Sequence, residues 1–132
     1  MNELRLPISV VIATLNEEQG IGPTIDEMQH VLNNPYLVVV DGNSVDRTIE
    51  IAKNLGADVL LQEGKGKGDA LFQGLQVLDS QVPYVVFTDA DYTYPAGYIP
   101  QMVEVLEQNP QVGMVIGNRF RGEYNDSKSI TN

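Results

Sequence analysis

Short apolar runs alternate along this chain with stretches whose apolar residues recur at helical spacing. The runs are bounded by turn-forming or polar residues and predict strands at residues 8–13, 36–40, 57–62, 84–88 and 112–116. Strands that are apolar throughout are buried on both faces of a sheet, and the intervening helices cover them. The alternation therefore predicts an α/β fold with a mainly parallel sheet and helices on both faces.

Between these runs, apolar residues fall on one side of four predicted helices. The helices are expected at residues 21–32, 48–55, 69–78 and 99–106. Asp46 or Ser44 could cap the second helix, because both side chains accept hydrogen bonds from N-terminal backbone N–H groups. In the third helix, the spacing of Leu71, Leu75 and Leu78 predicts that these leucines are buried.

Composition restricts the class of protein and of ligand. With 132 residues and no internal repeat or linker, the chain is expected to form one domain over residues 1–132. The absence of cysteine excludes thiolate chemistry and is compatible with a cytoplasmic protein. A formal net charge of −10 disfavours nucleic acid as a partner. A phosphate ligand would need local cations, such as a metal ion, lysines, arginines or helix N-termini.

The chemically distinctive residues follow the predicted strands. Right-handed crossovers bring the carboxyl ends of parallel strands to one edge, where ligands bind near the switch in strand order. A purely structural protein could also carry polar loops there, but glycine beside charged and amide residues in several loops favours a binding site. In chain order the candidates are Thr14, Asn16, Glu17, Asp41, Ser44, Lys65, Gly66, Lys67, Gly68, Asp89, Ala90, Asp91 and Arg119.

Asp89 and Asp91 follow the fourth apolar run. Residues two apart in an extended segment point the same way, so these carboxylates could hold one hard divalent cation. Such a cation would keep coordination positions open for the phosphates of a substrate. The other interpretation is an ordinary acidic turn.

The segment Gly64–Gly68 places two lysines among three glycines. Lys65 and Lys67 offer the cations that the acidic chain otherwise lacks, and Gly66 and Gly68 allow backbone N–H groups close to a phosphate or base. The alternative is a solvated, flexible turn. The segment does not fit the P-loop pattern, and the only histidine, His30, lies within a predicted helix, where a surface role is expected.

The ordered series VVIATLNEE, VVVDGNSVDRT, GKGKGDAL, VVFTDADYTYP and VIGNRF resembles the family 2 glycosyltransferases with the GT-A fold. It is most similar to the branch of polyprenyl-phosphate (dolichyl-phosphate) mannosyl- and glucosyltransferases. The resemblance implies a Rossmann-like domain that binds a nucleotide-sugar, and inverting transfer of a hexose from GDP-mannose or UDP-glucose with Mg²⁺ or Mn²⁺. The sequence departs from the family at Thr14, often proline in relatives, and at Tyr92-Thr93, where relatives often have an amide.

The resemblance also implies roles for the candidate residues. Asp89 and Asp91 would be the catalytic residues: Asp91 would bind the metal directly, and Asp89 would bind the ribose, or the metal through water. Asp41 would accept hydrogen bonds from the base, without distinguishing guanine from uracil by itself. Arg119 would meet the acceptor phosphate. The remaining candidates would line the donor pocket, and they are Thr14, Asn16, Glu17, Ser44, Lys65, Gly66, Lys67, Gly68 and Ala90.

The acceptor implied by the family is a polyprenyl phosphate at the cytoplasmic face of a membrane. Relatives continue well beyond the matched segments, and the tail from Arg119 is polar without apolar periodicity. We therefore expect the donor half without the acceptor half, with neither a further strand nor a membrane anchor in the tail.

Other classes of function stay open. The alternative to catalysis is a non-catalytic nucleotide-sugar-binding module or subunit, and a homo-oligomer is compatible with the sequence. A phosphoryl-receiving signalling domain ranks low, because its aspartates would end the first and third strands, whereas here Asp41 and Asp89 end the second and fourth.

Overall fold

The structure is a computed structural model that describes residues 8–79, 81–90, 96–109, 111–113, 115–118 and 123–126. The chain divides into two compact units, Met1–Tyr92 and Thr93–Asn132. Because of this division, the interpretation of the chain as a single domain stays a prediction.

The first unit alternates strands and helices as predicted. Its elements are β1 (Ile8–Thr14), α1 (Ile21–Leu32), β2 (Tyr36–Asp41), α2 (Thr48–Asn54), β3 (Asp58–Leu61), α3 (Gly66–Gln76) and β4 (Tyr84–Asp89). The four strands form one parallel sheet in the order β3-β2-β1-β4. This arrangement confirms the predicted α/β fold with a parallel sheet.

The strand order places two carboxylate-bearing residues at one edge of the sheet. Chain order runs outward from β1 through β2 to β3 and then returns to the other side of β1 as β4. The switch in order therefore lies between β1 and β4, where open α/β sheets bind ligands. In the strand register, Thr14 is level with Asp41 and Ala13 is level with Asp89.

The sheet is apolar on both faces. Val11, Val38 and Val40 form a buried cluster with Ala70 of α3. Right-handed crossovers put α1 and α2 on the face opposite α3, because the chain reverses its direction of travel across the sheet after β3. The apolar character of these strands is thus explained by helices on both sides.

The predicted buried face of α3 is wrong in one respect. The helix buries Ala70 and Gly74, whereas Leu75 is 41% exposed and Leu71 and Leu78 are partly buried. A Cβ atom built on Gly74 would lie 2.6 Å from Val11 Cγ1. The small residues let the helix backbone approach β1 closely, so the leucines flank the contact instead of forming it.

The second unit contains a 3₁₀ turn (Ala96–Tyr98), α4 (Ile99–Gln108), β5 (Val115–Asn118) and β6 (Glu123–Asp126). Ile99 and Val103 of α4 are buried, as their spacing predicts. β5 begins three residues later than predicted and pairs antiparallel with β6. The expectation that the polar tail adds no strand is therefore wrong, because strand pairing uses backbone hydrogen bonds that need no apolar periodicity.

Candidate functional site

Asp41, at the end of β2, carries a fully buried carboxylate. Oδ1 accepts hydrogen bonds from the Thr14 hydroxyl (2.6 Å) and the Ser44 hydroxyl (2.6 Å), and Oδ2 accepts one from the Ser44 N–H (2.7 Å). A buried charge requires such donors, since desolvation without them is costly. Asp41 therefore orders the start of the β2–α2 loop, and its predicted contact with a base stays a prediction.

Asn16 joins the β1–α1 loop to the β2–α2 loop. Its N–H donates to Ser44 Oγ (2.7 Å), and its Oδ1 accepts from the Val45 N–H (2.9 Å). Asn16 has φ 52°, a left-handed conformation in which asparagine is enriched. The structure thus brings together four residues predicted to bind the nucleotide-sugar, which are Thr14, Asn16, Asp41 and Ser44.

Asp46 and Thr48 fix the start of α2. Asp46 Oδ1 accepts hydrogen bonds from the Thr48 N–H (3.0 Å) and from the Thr48 hydroxyl. The hydroxyl bond is the main reason that the pKa of Asp46 is lowered. Thr48 Oγ1 in turn accepts from the N–H of Glu17 (2.8 Å). The N-cap position of α2 is taken by Arg47, which makes no side-chain capping hydrogen bond, so neither predicted cap is confirmed there. Asp46 instead accepts from Thr48, the first residue of the helix, and the Ser44 side chain binds Asp41.

The glycine- and lysine-containing loop is an ordered turn stabilised by Asp69. Asp69 Oδ2 accepts from the Lys65 N–H (2.9 Å), and a Cβ on Gly64 would lie 2.2 Å from the same oxygen. Gly66 has φ +83° and begins α3, and its carbonyl accepts from Gln62 Nε2 (2.9 Å). We did not predict the role of Asp69, although an acidic residue in a first helical turn is a recognisable capping signal.

Lys67 and Asp89 form an ion pair at the switch in strand order. Lys67 lies in the first turn of α3, Asp89 ends β4, and Lys67 Nζ lies 2.7 Å from Asp89 Oδ2. The Lys67 side chain is 69% exposed and that of Asp89 is 22% exposed. The sequence predicted both residues as ligand-binding, but it did not predict that they bind each other.

The residues at this edge fit a divalent cation that is shared with a substrate. Within the described ranges, no group of three or more His, Cys, Asp and Glu side chains could enclose a metal ion. Mg²⁺ that is bound together with phosphates needs only one or two carboxylates from the protein. Asp89 would supply one, and in this structure the Lys67 ammonium lies against that carboxylate. Asp91, the predicted second ligand, lies outside the described residues.

Three further predicted site residues of the first unit lie at or near the same edge. Glu17 is partly buried, Ala90 is fully buried directly after Asp89, and Gly68 is exposed in the first turn of α3. Arg119 lies outside the described residues. His30 is exposed on α1, which confirms its predicted surface position.

The sequence profile of Glycosyl transferase family 2 matches residues 9–132. The chain therefore belongs to this family. A dolichyl-phosphate hexose transferase of Haloferax volcanii is 38% identical over 113 residues, which are 86% of this chain and 48% of that protein. Protein RfbJ of Shigella flexneri is 33% identical over 112 residues, which are 85% of this chain and 84% of that protein.

Solved structures confirm the fold. Glucosyl-3-phosphoglycerate synthase from Mycobacterium tuberculosis, in complex with Mn²⁺, uridine-diphosphate and glucosyl-3-phosphoglycerate, matches with a TM-score of 0.71 and 30% identity. The match covers 83% of this chain and 42% of that chain. This chain thus spans less than half the length of that enzyme and of the Haloferax transferase.

Proposed function

We propose that this chain binds a nucleotide-sugar donor at the carboxyl edge of the parallel sheet, as part of a metal-dependent inverting glycosyltransferase. The observation that carries the proposal is the Lys67–Asp89 pair at the switch in strand order, beside the ordered loop that begins α3. Membership of Glycosyl transferase family 2 supports it, as does the Mn²⁺ and uridine-diphosphate in the matched synthase complex.

The nucleoside binds, in this proposal, against the joined β1–α1 and β2–α2 loops. A carboxylate has about four lone-pair positions, and three hydrogen bonds already reach Asp41. Oδ2 accepts only one of the three, and because Asp41 is fully buried, an N–H of uracil or guanine would reach this oxygen only when the start of the β2–α2 loop moves aside. The donor is UDP-glucose or GDP-mannose, and the buried carboxylate serves either base. Asn16 and Glu17 line the same pocket.

The diphosphate binds beside the first turn of α3. Gly66 and Gly68 allow close approach of the backbone, and Lys65 and Lys67 supply positive charge in a chain of net charge −10. Asp89 and Asp91 would hold Mg²⁺ or Mn²⁺. When bound, this ion stabilises the negative charge that develops on the leaving diphosphate as the bond to the sugar breaks.

The acceptor in our proposal is a polyprenyl or dolichyl phosphate. A phosphate oxygen is already ionised near neutral pH and needs no general base, whereas a sugar hydroxyl needs one. Arg119 is proposed to contact this phosphate. In the complete protein, Arg119→Ala is expected to raise the acceptor KM far more than the donor KM. The described part of the chain contains no helix with the length and apolar character needed to cross a bilayer.

A binding panel tests the donor assignment. UDP, GDP, UDP-glucose and GDP-mannose are each added with Mn²⁺ or with EDTA, and thermal unfolding is recorded. A ligand at a hundredfold excess over its Kd stabilises the fold by about 2.7 kcal/mol, so a bound donor raises the Tm measurably. Asp91→Ala is expected to remove the effect of Mn²⁺, and Asp41→Ala to weaken binding even in EDTA. The absence of any Tm shift with all four nucleotides would refute the proposal.

A further inference from the structure

The Lys67–Asp89 ion pair joins a residue predicted to bind phosphate to one predicted to bind a metal. Both residues lie at the proposed donor site, and their charged atoms are 2.7 Å apart. Asp89 and an incoming diphosphate would compete for the single positive charge of the Lys67 ammonium. The two predicted functions of these residues are therefore coupled through this contact.

We propose that Lys67 is a positioning residue whose ammonium acts as a stand-in for the divalent cation on Asp89. When the metal binds Asp89, the ammonium moves to a phosphate oxygen of the diphosphate. This inference rests on the proposed function, because the diphosphate and the metal are the ligands assigned there. It assigns Lys67 two successive partners, first the Asp89 carboxylate and then a phosphate oxygen.

The exposure of the pair permits this exchange. Lys67 is 69% exposed, on a flexible four-carbon stem whose ammonium has three donors. An ion pair whose cation is exposed is weak, on the order of 0.2–1 kcal/mol, because water solvates the free ammonium well. A divalent cation with twice the charge can therefore displace the ammonium from Asp89, and the freed ammonium remains within the same turn of α3.

The exchange makes metal binding and nucleotide binding mutually favourable. Without nucleotide, the metal competes with Lys67 for Asp89. With nucleotide present, the ammonium has another anionic partner, so the metal binds Asp89 with less competition. Because coupling between two ligands is reciprocal, the metal strengthens nucleotide binding by the same factor.

The test measures the two ligands separately in Lys67→Met. Free Mn²⁺ is followed by electron paramagnetic resonance without nucleotide, and UDP and GDP binding by calorimetry with Mn²⁺. Loss of a pair of the stated strength corresponds to an affinity for Mn²⁺ about 1.4- to fivefold higher than in the wild type. Loss of a charge-assisted hydrogen bond to phosphate should weaken nucleotide binding by about tenfold or more.

Lys53→Met is the matched control. Lys53 is exposed in the last turn of α2, a helix that runs from the carboxyl edge of the sheet to the opposite edge. The Lys53→Met substitution removes the same charge far from Asp89, so any general effect of net charge appears in both variants. Only the difference between Lys67→Met and Lys53→Met measures the ion pair.

A second variant keeps the test decisive if Lys67→Met does not fold. Lys67→Arg preserves a cation beside Asp89 and can bind it in a bidentate manner, so its affinity for Mn²⁺ is expected to fall below that of the wild type. If the ion pair only holds α3 against β4, the expected result differs. An arginine that preserves this contact would then leave the affinity for Mn²⁺ unchanged.

The outcomes separate this inference from the proposed function. An affinity for Mn²⁺ in Lys67→Met equal to or below that of Lys53→Met would overturn the stand-in role, even if the wild type binds nucleotides. If no nucleotide binds to the wild type, the proposed function fails and the diphosphate half of the inference fails with it. Higher Mn²⁺ affinity in Lys67→Met would still support the hold on Asp89 in that case.

Discussion

Gly74→Ala would place a methyl group into the tightest contact between α3 and the sheet. The added Cβ would lie 2.6 Å and 3.2 Å from the two γ-carbons of Val11, and 3.3 Å from Val40 Cγ2. Ordinary carbon–carbon contacts lie at about 3.5–4.0 Å, so the helix or the strand must move. Valine is β-branched and prefers a single χ1 rotamer in many settings, which restricts relief by side-chain rotation.

Two terms of opposite sign determine the size of the effect. Replacing a mid-helix glycine by alanine stabilises a helix by about 0.8–1 kcal/mol. Overpacking a well-packed core typically costs about 1–3 kcal/mol. Because the 2.6 Å contact is with a stiff side chain in the centre of the sheet, we expect the second term to dominate. The free energy of unfolding should therefore fall by up to about 2 kcal/mol.

Gly68→Ala, in the same helix, is the matched control. A Cβ on Gly68 would meet no atom of the described residues within 4 Å, so only the helix-propensity term applies. Urea unfolding should show a gain of about 0.5–1 kcal/mol in Gly68→Ala and a loss in Gly74→Ala. If donor binds over Gly68, that variant also binds UDP or GDP more weakly while being more stable. Stabilisation by both substitutions would refute the proposed close packing at Gly74.

Further expectations concern charged groups. Asp41→Asn places an amide N–H₂ group or a neutral oxygen opposite three hydrogen-bond donors. The free energy of unfolding, measured in urea, should therefore fall by about 3 kcal/mol. A decrease of less than about 1 kcal/mol would contradict the buried network. The pKa values of Asp46 and Glu50 are lowered, chiefly by hydrogen bonds from Thr48 and Arg47. Their stabilisation is thus present above the ordinary values of 3.8 and 4.5 and is lost as pH falls through the lower folded values. Thermal unfolding across this acidic range should show a smaller decrease in Glu50→Gln, and an unchanged decrease would contradict this assignment.

The strands were predictable because their apolar character follows directly from burial on both faces. The face that α3 presents to the sheet was not predictable in this way. Periodicity rules assume that large apolar residues mark the buried side, whereas close packing against Val11 selects Gly74 and leaves Leu75 exposed. Whether a helix packs closely or loosely depends on three-dimensional spacing that a linear pattern does not contain.

The edge of the sheet that the candidate residues share was predictable for a different reason. Parallel strands end at the same edge of a sheet, so residues at the ends of strands, such as Asp41 and Asp89, lie at that edge together. The individual contacts were not predictable. Lys67 and Asp89 are 22 positions apart, and Gln73 links β3 to α3 by accepting from the Glu63 N–H (3.0 Å) and donating to the Leu61 carbonyl (2.8 Å). Such pairs depend on side-chain conformations, which no spacing rule specifies.

The charge balance of the donor site follows from these contacts. In an acidic chain, a diphosphate alone adds negative charge beside Asp89, and a divalent cation alone must compete with Lys67. When both bind, the double positive charge of the cation compensates the doubly charged diphosphate, and the net charge of the site is unchanged. Lys67 then neutralises part of the diphosphate while the cation neutralises the carboxylate that Lys67 has left. In the proposed donor site, an anionic donor thus needs no excess of basic residues, because Lys67 and one divalent cation compensate its charge together.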